Sequence, residues 1–181
     1  MAEFSVETER LILREWRESD RDLFLAMCNS PVVMEHLGGP ATAEEIDAGI
    51  ARIRACQRDH GHCFWAIERG RDGAFLGFCG LKRANDPGLP IAGEVEIGWR
   101  LRDDAWGQGY AREAAEAALA WGWANLDVSR IVAITVPANR RSRGLMERLG
   151  MTRRPDLDFA HPQFAADHPL SRHVAYVIER P

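Results

Sequence analysis

Three groups of residues in this chain have types and spacings that could do chemistry. Gly107 and Gly109 lie in Trp106-Gly107-Gln108-Gly109-Tyr110-Ala111, just ahead of an alanine-rich stretch with helical spacing. Such a loop leaves unpaired backbone N–H groups and the positive end of the helix dipole facing outward, which suits a phosphate or pyrophosphate. A tight turn is the alternative reading of the same glycines. Glu94 and Glu96 alternate with Val95, Ile97, Trp99 and Leu101, so the two carboxylates share one side of a strand. In a sheet covered on both faces, that side is costly to bury unless it meets a cavity or a partner. Asn139 follows Pro137 and stands where a helix N-cap belongs, with Ser142 in the first turn behind it.

These residues must be positioned by regular elements, and the sequence predicts them. Arg10 to Arg14 reads as a short strand. Ser19-Asp20 caps a helix carrying Leu23, Phe24 and Met27, and Ser30-Pro31 ends it. Thr42-Ala43-Glu44-Glu45 is a capping box for a second helix, with Ile46, Ile50 and Ile53 on its apolar side and Arg52, Arg54 and Arg58 toward water. Cys63 to Ile67 and Phe75 to Leu81 form a hairpin through Asp72-Gly73, and residues 85–90 form a loop. From Tyr110 to Leu126, Ala111, Ala114, Ala115, Ala118 and Gly122 give one helix face small enough for close packing on a sheet. Ile131 to Val136 is an unbroken apolar run, a central strand stopped by Pro137. Gly150 caps the short helix after it, and His173 to Ile178 is the last strand. Strands alternating with helices after an early hairpin give a mixed sheet with helices on both faces.

These motifs together resemble the acetyl-CoA-dependent GNAT N-acetyltransferase superfamily. The segment Thr8-Glu9-Arg10-Leu11-Ile12-Leu13-Arg14, the glycine loop running on to Arg112-Glu113-Ala114, and the Asn139/Ser142 pair with Leu149-Gly150 resemble the Rim-type branch, which acetylates ribosomal-protein N-termini. The likeness runs from about Thr8 to Tyr176. It implies the GNAT fold, a mixed, mostly antiparallel sheet in which two neighbouring parallel strands splay around the cofactor. The family's loop commonly begins with Arg or Gln. Trp106 departs from that, as the Rim-like branch does.

The resemblance implies acetyl transfer from acetyl-CoA to a primary amine by direct attack in a ternary complex. The amine is that of a protein N-terminus or of a small molecule. Backbone amides of Gly107, Gln108, Gly109, Tyr110, Ala111 and Arg112 would cradle the pyrophosphate, with Asn139 and Ser142 as further cofactor contacts. Arg112, Arg140, Arg141 and Arg143 lie near its expected path, as phosphate partners or as solvated surface arginines. A backbone N–H near Ile97 or Gly98 would stabilise the developing oxyanion. An acceptor ammonium has a pKa of about 10, so a base is needed. Glu96 is the first candidate and Glu94 the second. A bulge, usual in a splayed strand, would exchange them. No Tyr stands at positions 143 to 151, so Ser142 takes the proposed acid role toward the thiolate. A non-catalytic acyl-CoA sensor is the competing class.

Composition narrows the remainder. The 181 residues fit one domain, 1–181. A net charge of -4 argues against a broad nucleic-acid footprint. Cys28, Cys56, Cys63 and Cys79 lack paired spacing and read as reduced thiols, and the six histidines have no metal-ligand spacing, so no metal is expected. His161-Pro162 and His168-Pro169 shape a late loop on the acceptor side, and Trp16, Trp65 and Trp99 are core or wall residues. No long apolar run exists, and Glu3, Glu7 and Glu9 stand where a secretory signal would be basic. The expectation is a cytoplasmic protein with no membrane partner, and a homodimer is common among relatives.

Overall fold

Period-two and helical spacing resolve into the following elements across residues 4–181, which the computed structural model describes; Glu3 lies outside them. In chain order they are β1 (Ser5–Glu7), β2 (Leu11–Arg14), α1 (Asp20–Cys28), α2 (Pro31–Met34), α3 (Ala43–His60), β3 (Phe64–Arg69), β4 (Ala74–Arg83), β5 (Val95–Leu101), α4 (Tyr110–Asn125), β6 (Arg130–Thr135), α5 (Arg140–Arg148), β7 (Thr152–Arg153), β8 (Phe159–Ala160) and β9 (Arg172–Glu179). The strands lie in the order β1-β2-β3-β4-β5-β6-β9-β7, with β8 also pairing with β9. Every adjacent pair is antiparallel except β5 and β6, which are parallel. The expected mixed sheet with helices on both faces is the fold of this chain.

One face packs against α4. Ala114, Ala115, Ala118 and Gly122 are buried there among Leu81, Val95, Ile97 and Ile131. A Cβ on Gly122 would stand 2.6 Å from Leu81 Cδ1, so the absence of side chains lets the helix sit this close. The other face carries α1, α2 and α3 over Trp16, Phe24, Phe75 and Phe78. Burying such rings and aliphatic chains stabilises by about 1.5–3 kcal/mol per side chain.

Local signals hold with some shifts. The Thr42 capping box is complete, with Thr42 Oγ1 accepting from Glu45 N and the Glu45 carboxylate accepting from Thr42 N. Ser30 does more than end α1: its hydroxyl accepts from Val33 N and, with Pro31 in the first turn, opens α2. Ser19 makes no side-chain cap. Asp20 instead accepts from Arg17 N at 2.7 Å and receives both guanidinium ends of buried Arg14 at 2.8 and 2.9 Å. Arg54, on the expected water-facing side, pairs at the surface with Glu18 at 2.6 Å. β1, β7 and β8, each of two or three residues, were not foreseen, being too short for a periodic pattern. β9 shows poor alternation because Val174, Ala175, Tyr176 and Val177 are all buried. All four cysteines are free thiols.

Candidate active site

The parallel pair opens the sheet. β5 and β6 are in register only at Val95 with Ile131 and Glu96 with Val132, after which β5 continues to Leu101 and β6 to Thr135 without pairing. A cavity of about 290 Å³ lies at that divergence, walled by Ile97, Gly98 and Trp99 from β5 and by Ile134, Thr135 and Val136 from the β6 end. Beyond residue 96, the β6-facing edge of β5 is therefore free to hydrogen-bond to something other than protein.

Glu96 stands at the apex. Its side chain lines the cavity, is 13% exposed, and has Lys82 of β4 directly across with Nζ 3.4 Å from Oε2. Burial pushes its carboxyl above the ordinary carboxylate value, with Lys82 opposing the rise. The β4–β5 register runs unbroken from Gly77 with Leu101 to Arg83 with Val95, so the expected bulge does not occur between these strands. Glu94 precedes β5, pairs with Arg130 and is not part of the cavity wall.

The glycine loop meets α4 with both glycines in the left-handed region, Gly107 at φ +72° and Gly109, the helix N-cap, at φ +83°. Among the described residues, the amides of residues 107–112 have no protein acceptor. The segment is clamped from behind by the N-terminal strand region. Arg10 donates to Gln108 O at 2.9 Å and to Glu113 at 2.7 Å, and its guanidinium lies 4.7 Å from the centre of the buried Tyr110 ring. Thr8 Oγ1 adds a 2.6 Å bond to Glu113. This clamp gives the Thr8–Arg14 motif its structural meaning: it points the amides outward. Gln108 turns its amide group to Asp104 O, and Arg112 pairs with Glu116 one turn on. Ala111 is half-buried against the α4-side core.

Across the opening, Asn139 caps α5 by accepting from Ser142 N at 3.2 Å, and both side chains line the cavity. Arg141 stacks over Trp106 and Arg140 is exposed. Arg143, expected as a phosphate partner or a solvated surface arginine, is neither: it turns inward to Pro137 O at 3.0 Å and Tyr176 Oη at 3.2 Å.

Several residues here were not singled out from sequence. Lys82, outside the wall, and Arg100, within it, stand on the Glu96 side of the sheet, and His36, His173 and Phe164 line the cavity together with His161, whose loop was expected on the acceptor side. The rings of His161 and His173 are 4.8 Å apart, and burial lowers the pKa of each. The cross-strand pairs Lys82 with Glu96 and Phe78 with Arg100 come from the β4–β5 register, whose connection is the long 84–94 loop, so no tight turn in the sequence announces them. The histidine convergence had no local signal, because it joins the end of α2, the loop after β8, and β9. No group of three or more metal-ligating side chains suited to a metal ion occurs among the described residues, and no helix among them is long and apolar enough to cross a membrane.

The acetyltransferase (GNAT) domain family matches residues 10–152. The uncharacterized protein YkkB of Bacillus subtilis (strain 168) is 30% identical over 145 residues, 80% of this chain and 83% of that protein. The uncharacterized N-acetyltransferase YoaA of the same organism is 26% identical over 148 residues, 80% of this chain and 81% of that one. The crystal structure of an acetyltransferase from Agrobacterium tumefaciens str. C58 superposes with a TM-score of 0.79 at 27% identity, covering 99% of this chain and 96% of that chain.

Proposed function

From the premise that this chain belongs to the GNAT acetyltransferase family and is an acyltransferase, we propose that residues 1–181 form one N-acetyltransferase domain acting on a primary amine in a ternary complex with acetyl-CoA. The observation that carries this is the divergence of β5 and β6 immediately after Glu96, with the carboxylate at its apex. When bound, acetyl-CoA supplies the activated thioester.

The chain's residues divide the work. The outward amides of residues 107–112 fit a pyrophosphate, and the free edge of β5 at Ile97 and Gly98 fits the amide-bearing arm and offers an oxyanion donor. Glu96 takes the ammonium proton, directly or through one water; its raised pKa brings it nearer the working pH than an ordinary glutamate. Glu94 is engaged by Arg130, which favours Glu96 as the base. Ser142 lines the cavity and serves as the proton donor to the departing thiolate, while Asn139 fixes the start of α5 beside it. The Rim-like placement rests on the Thr8–Arg14 clamp, the Trp106 loop and the Asn139/Ser142 pair. A cytoplasmic location and a homodimer accompany that reading, with neither nucleic acid nor membrane as partner.

Thermal unfolding with acetyl-CoA at about a hundred times its Kd tests the cofactor half, since binding of that strength stabilises by about 2.7 kcal/mol. For a domain of this size the midpoint rises by about 5–10 °C. The rise should vanish in Gly109→Val, whose Cβ is strained at φ +83°. Thiol release with a panel of amines tests the transfer half. A folded protein with no acetyl-CoA shift would refute the proposal, and tight binding without transfer to any amine would leave a sensor.

A further inference from the structure

Arg100 stands out because it faces the cavity with a guanidinium that almost nothing in the protein satisfies. It lies on the same side of β5 as Glu96, four residues further along the strand, and lines the same wall. Its Nη1 donates to Cys28 Sγ at 3.2 Å, and its plane lies 5.4 Å from the centre of the Phe78 ring. Its Nε is fully buried and has no hydrogen-bond partner. Burial pushes the Cys28 thiol up despite the nearby guanidinium, so the sulfur is a neutral thiol and a weak acceptor. No carboxylate among the described residues pairs with this guanidinium. Arg14, the buried arginine of this layer, is by contrast held by both Asp20 and Glu68.

A half-buried guanidinium whose Nε has no partner and whose Nη1 meets only a thiol leaves donors that an occupant of the cavity can complete. A planar anion completes it best, because two parallel N–H groups match two carboxylate oxygens. The rest of this wall supports such an occupant. Lys82 already faces Glu96 from outside the wall, and burial keeps His161 and His173 toward their neutral forms, so Arg100 is the cation and Glu96 the carboxylate that line the acceptor's space. A polyamine would meet like charges there, whereas an amine that also bears a carboxylate would meet Glu96 with one end and a cation with the other. The guanidinium's neighbours, Phe78 and Cys28, belong to the α1–α3 side of the sheet, whereas the outward amides of residues 107–112 open at the start of α4. The anion it awaits is therefore the acceptor's and not a cofactor phosphate.

We infer that Arg100 is a specificity-determining residue that binds the carboxylate of a small acceptor, so the substrate class is an amino acid or short amino-acid derivative with a free amine. This rests on the N-acetyltransferase reading above and narrows its acceptor.

The test compares acceptors that differ only at the carboxylate: α-amino acids, ω-amino acids and dipeptides, each beside its C-terminal amide, with spermine as a polycation. With thiol release as the readout, kcat/KM should favour the acid over its amide by about 10- to 100-fold for the best acceptor. In Arg100→Gln that ratio should fall to about one, and Arg100→Lys should recover part of it. Acetyl-CoA affinity of each variant is measured by calorimetry, and thermal unfolding confirms folding. Where no acceptor is turned over, calorimetry of the same pairs in the presence of CoA decides, and acids binding over amides only with Arg100 present upholds the inference even though the transfer reading has failed. Equal use or binding of acid and amide overturns it, as does a preference that survives in Arg100→Gln. A loss of acetyl-CoA affinity with the acid-to-amide ratio intact also overturns it, by assigning the guanidinium to the cofactor.

Discussion

The guanidinium of Arg141 lies 4.5 Å from the centre of the Trp106 ring, and that contact joins the first turn of α5 to the loop that leads into α4. Trp106 is itself fixed by its indole N–H, which donates to Leu101 O at 2.9 Å at the end of β5. One aromatic side chain thus ties together the strand edge, the glycine loop and the helix bearing Asn139 and Ser142. This gives a physical role to the tryptophan that stands where arginine or glutamine is common.

An exposed cation–π contact is worth about 0.5–1 kcal/mol. Arg141→Ala should therefore weaken acetyl-CoA binding by about two- to five-fold in calorimetry, through a less well-held opening. Trp106→Leu should weaken it more, because the Leu101 hydrogen bond is lost as well. The double variant should fall short of the sum of the two, which is the signature of a direct contact. Strict additivity would show that the stacking does not organise the site.

The roles of Glu96 and Glu94 separate kinetically. Glu96→Gln removes the base and should lower kcat by about 10²- to 10⁴-fold with acetyl-CoA affinity nearly unchanged. Glu94→Gln breaks the pair with Arg130, outside the cavity wall, and should lower kcat less than tenfold. Burial raises the Glu96 pKa, so kcat/KM should rise with pH through a midpoint above the ordinary glutamate value of 4.5. The residual activity of Glu96→Gln should lack that limb. Equal losses in the two variants would contradict the assignment.

Much of this architecture was legible because its signals are local. Thr42 and Glu45 cap each other within one turn, Asp72-Gly73 reverses one hairpin, and Ala114, Ala115 and Ala118 mark a helix face by spacing alone. Alternation of Glu94 and Glu96 with Val95 and Ile97 identified the strand and its polar side. It could not separate the two glutamates, because Arg130 and Lys82 reach them from other strands. The inward turn of Arg143 was hidden for the same reason, since its partner Tyr176 lies 33 residues away. The two- and three-residue strands β1, β7 and β8 are defined by their partners and not by their own composition.

The histidines set a pH dependence of stability whose sign follows from burial. Burial lowers the pKa of His62, His161 and His173 below the ordinary imidazole value of 6.5, and His62 holds its Nδ1 2.8 Å from Leu81 O. As pH falls through 6.5, the unfolded chain takes up protons that the folded chain does not, so stability must fall with it. Glu96 acts in the opposite sense. Its folded carboxyl binds a proton at higher pH than the unfolded one, so stability at that residue is lost as pH rises above 4.5 toward the folded value. Denaturant unfolding between pH 7.5 and 5.5 reads the two senses together, the imidazoles lowering stability as pH falls and the Glu96 carboxyl raising it. Replacing His161 and His173 with Gln should remove part of the acid-side loss, while Glu96→Gln should remove the opposing gain. A pH profile of stability left unchanged by the His161 and His173 replacements would show that these imidazoles are not held neutral by the fold.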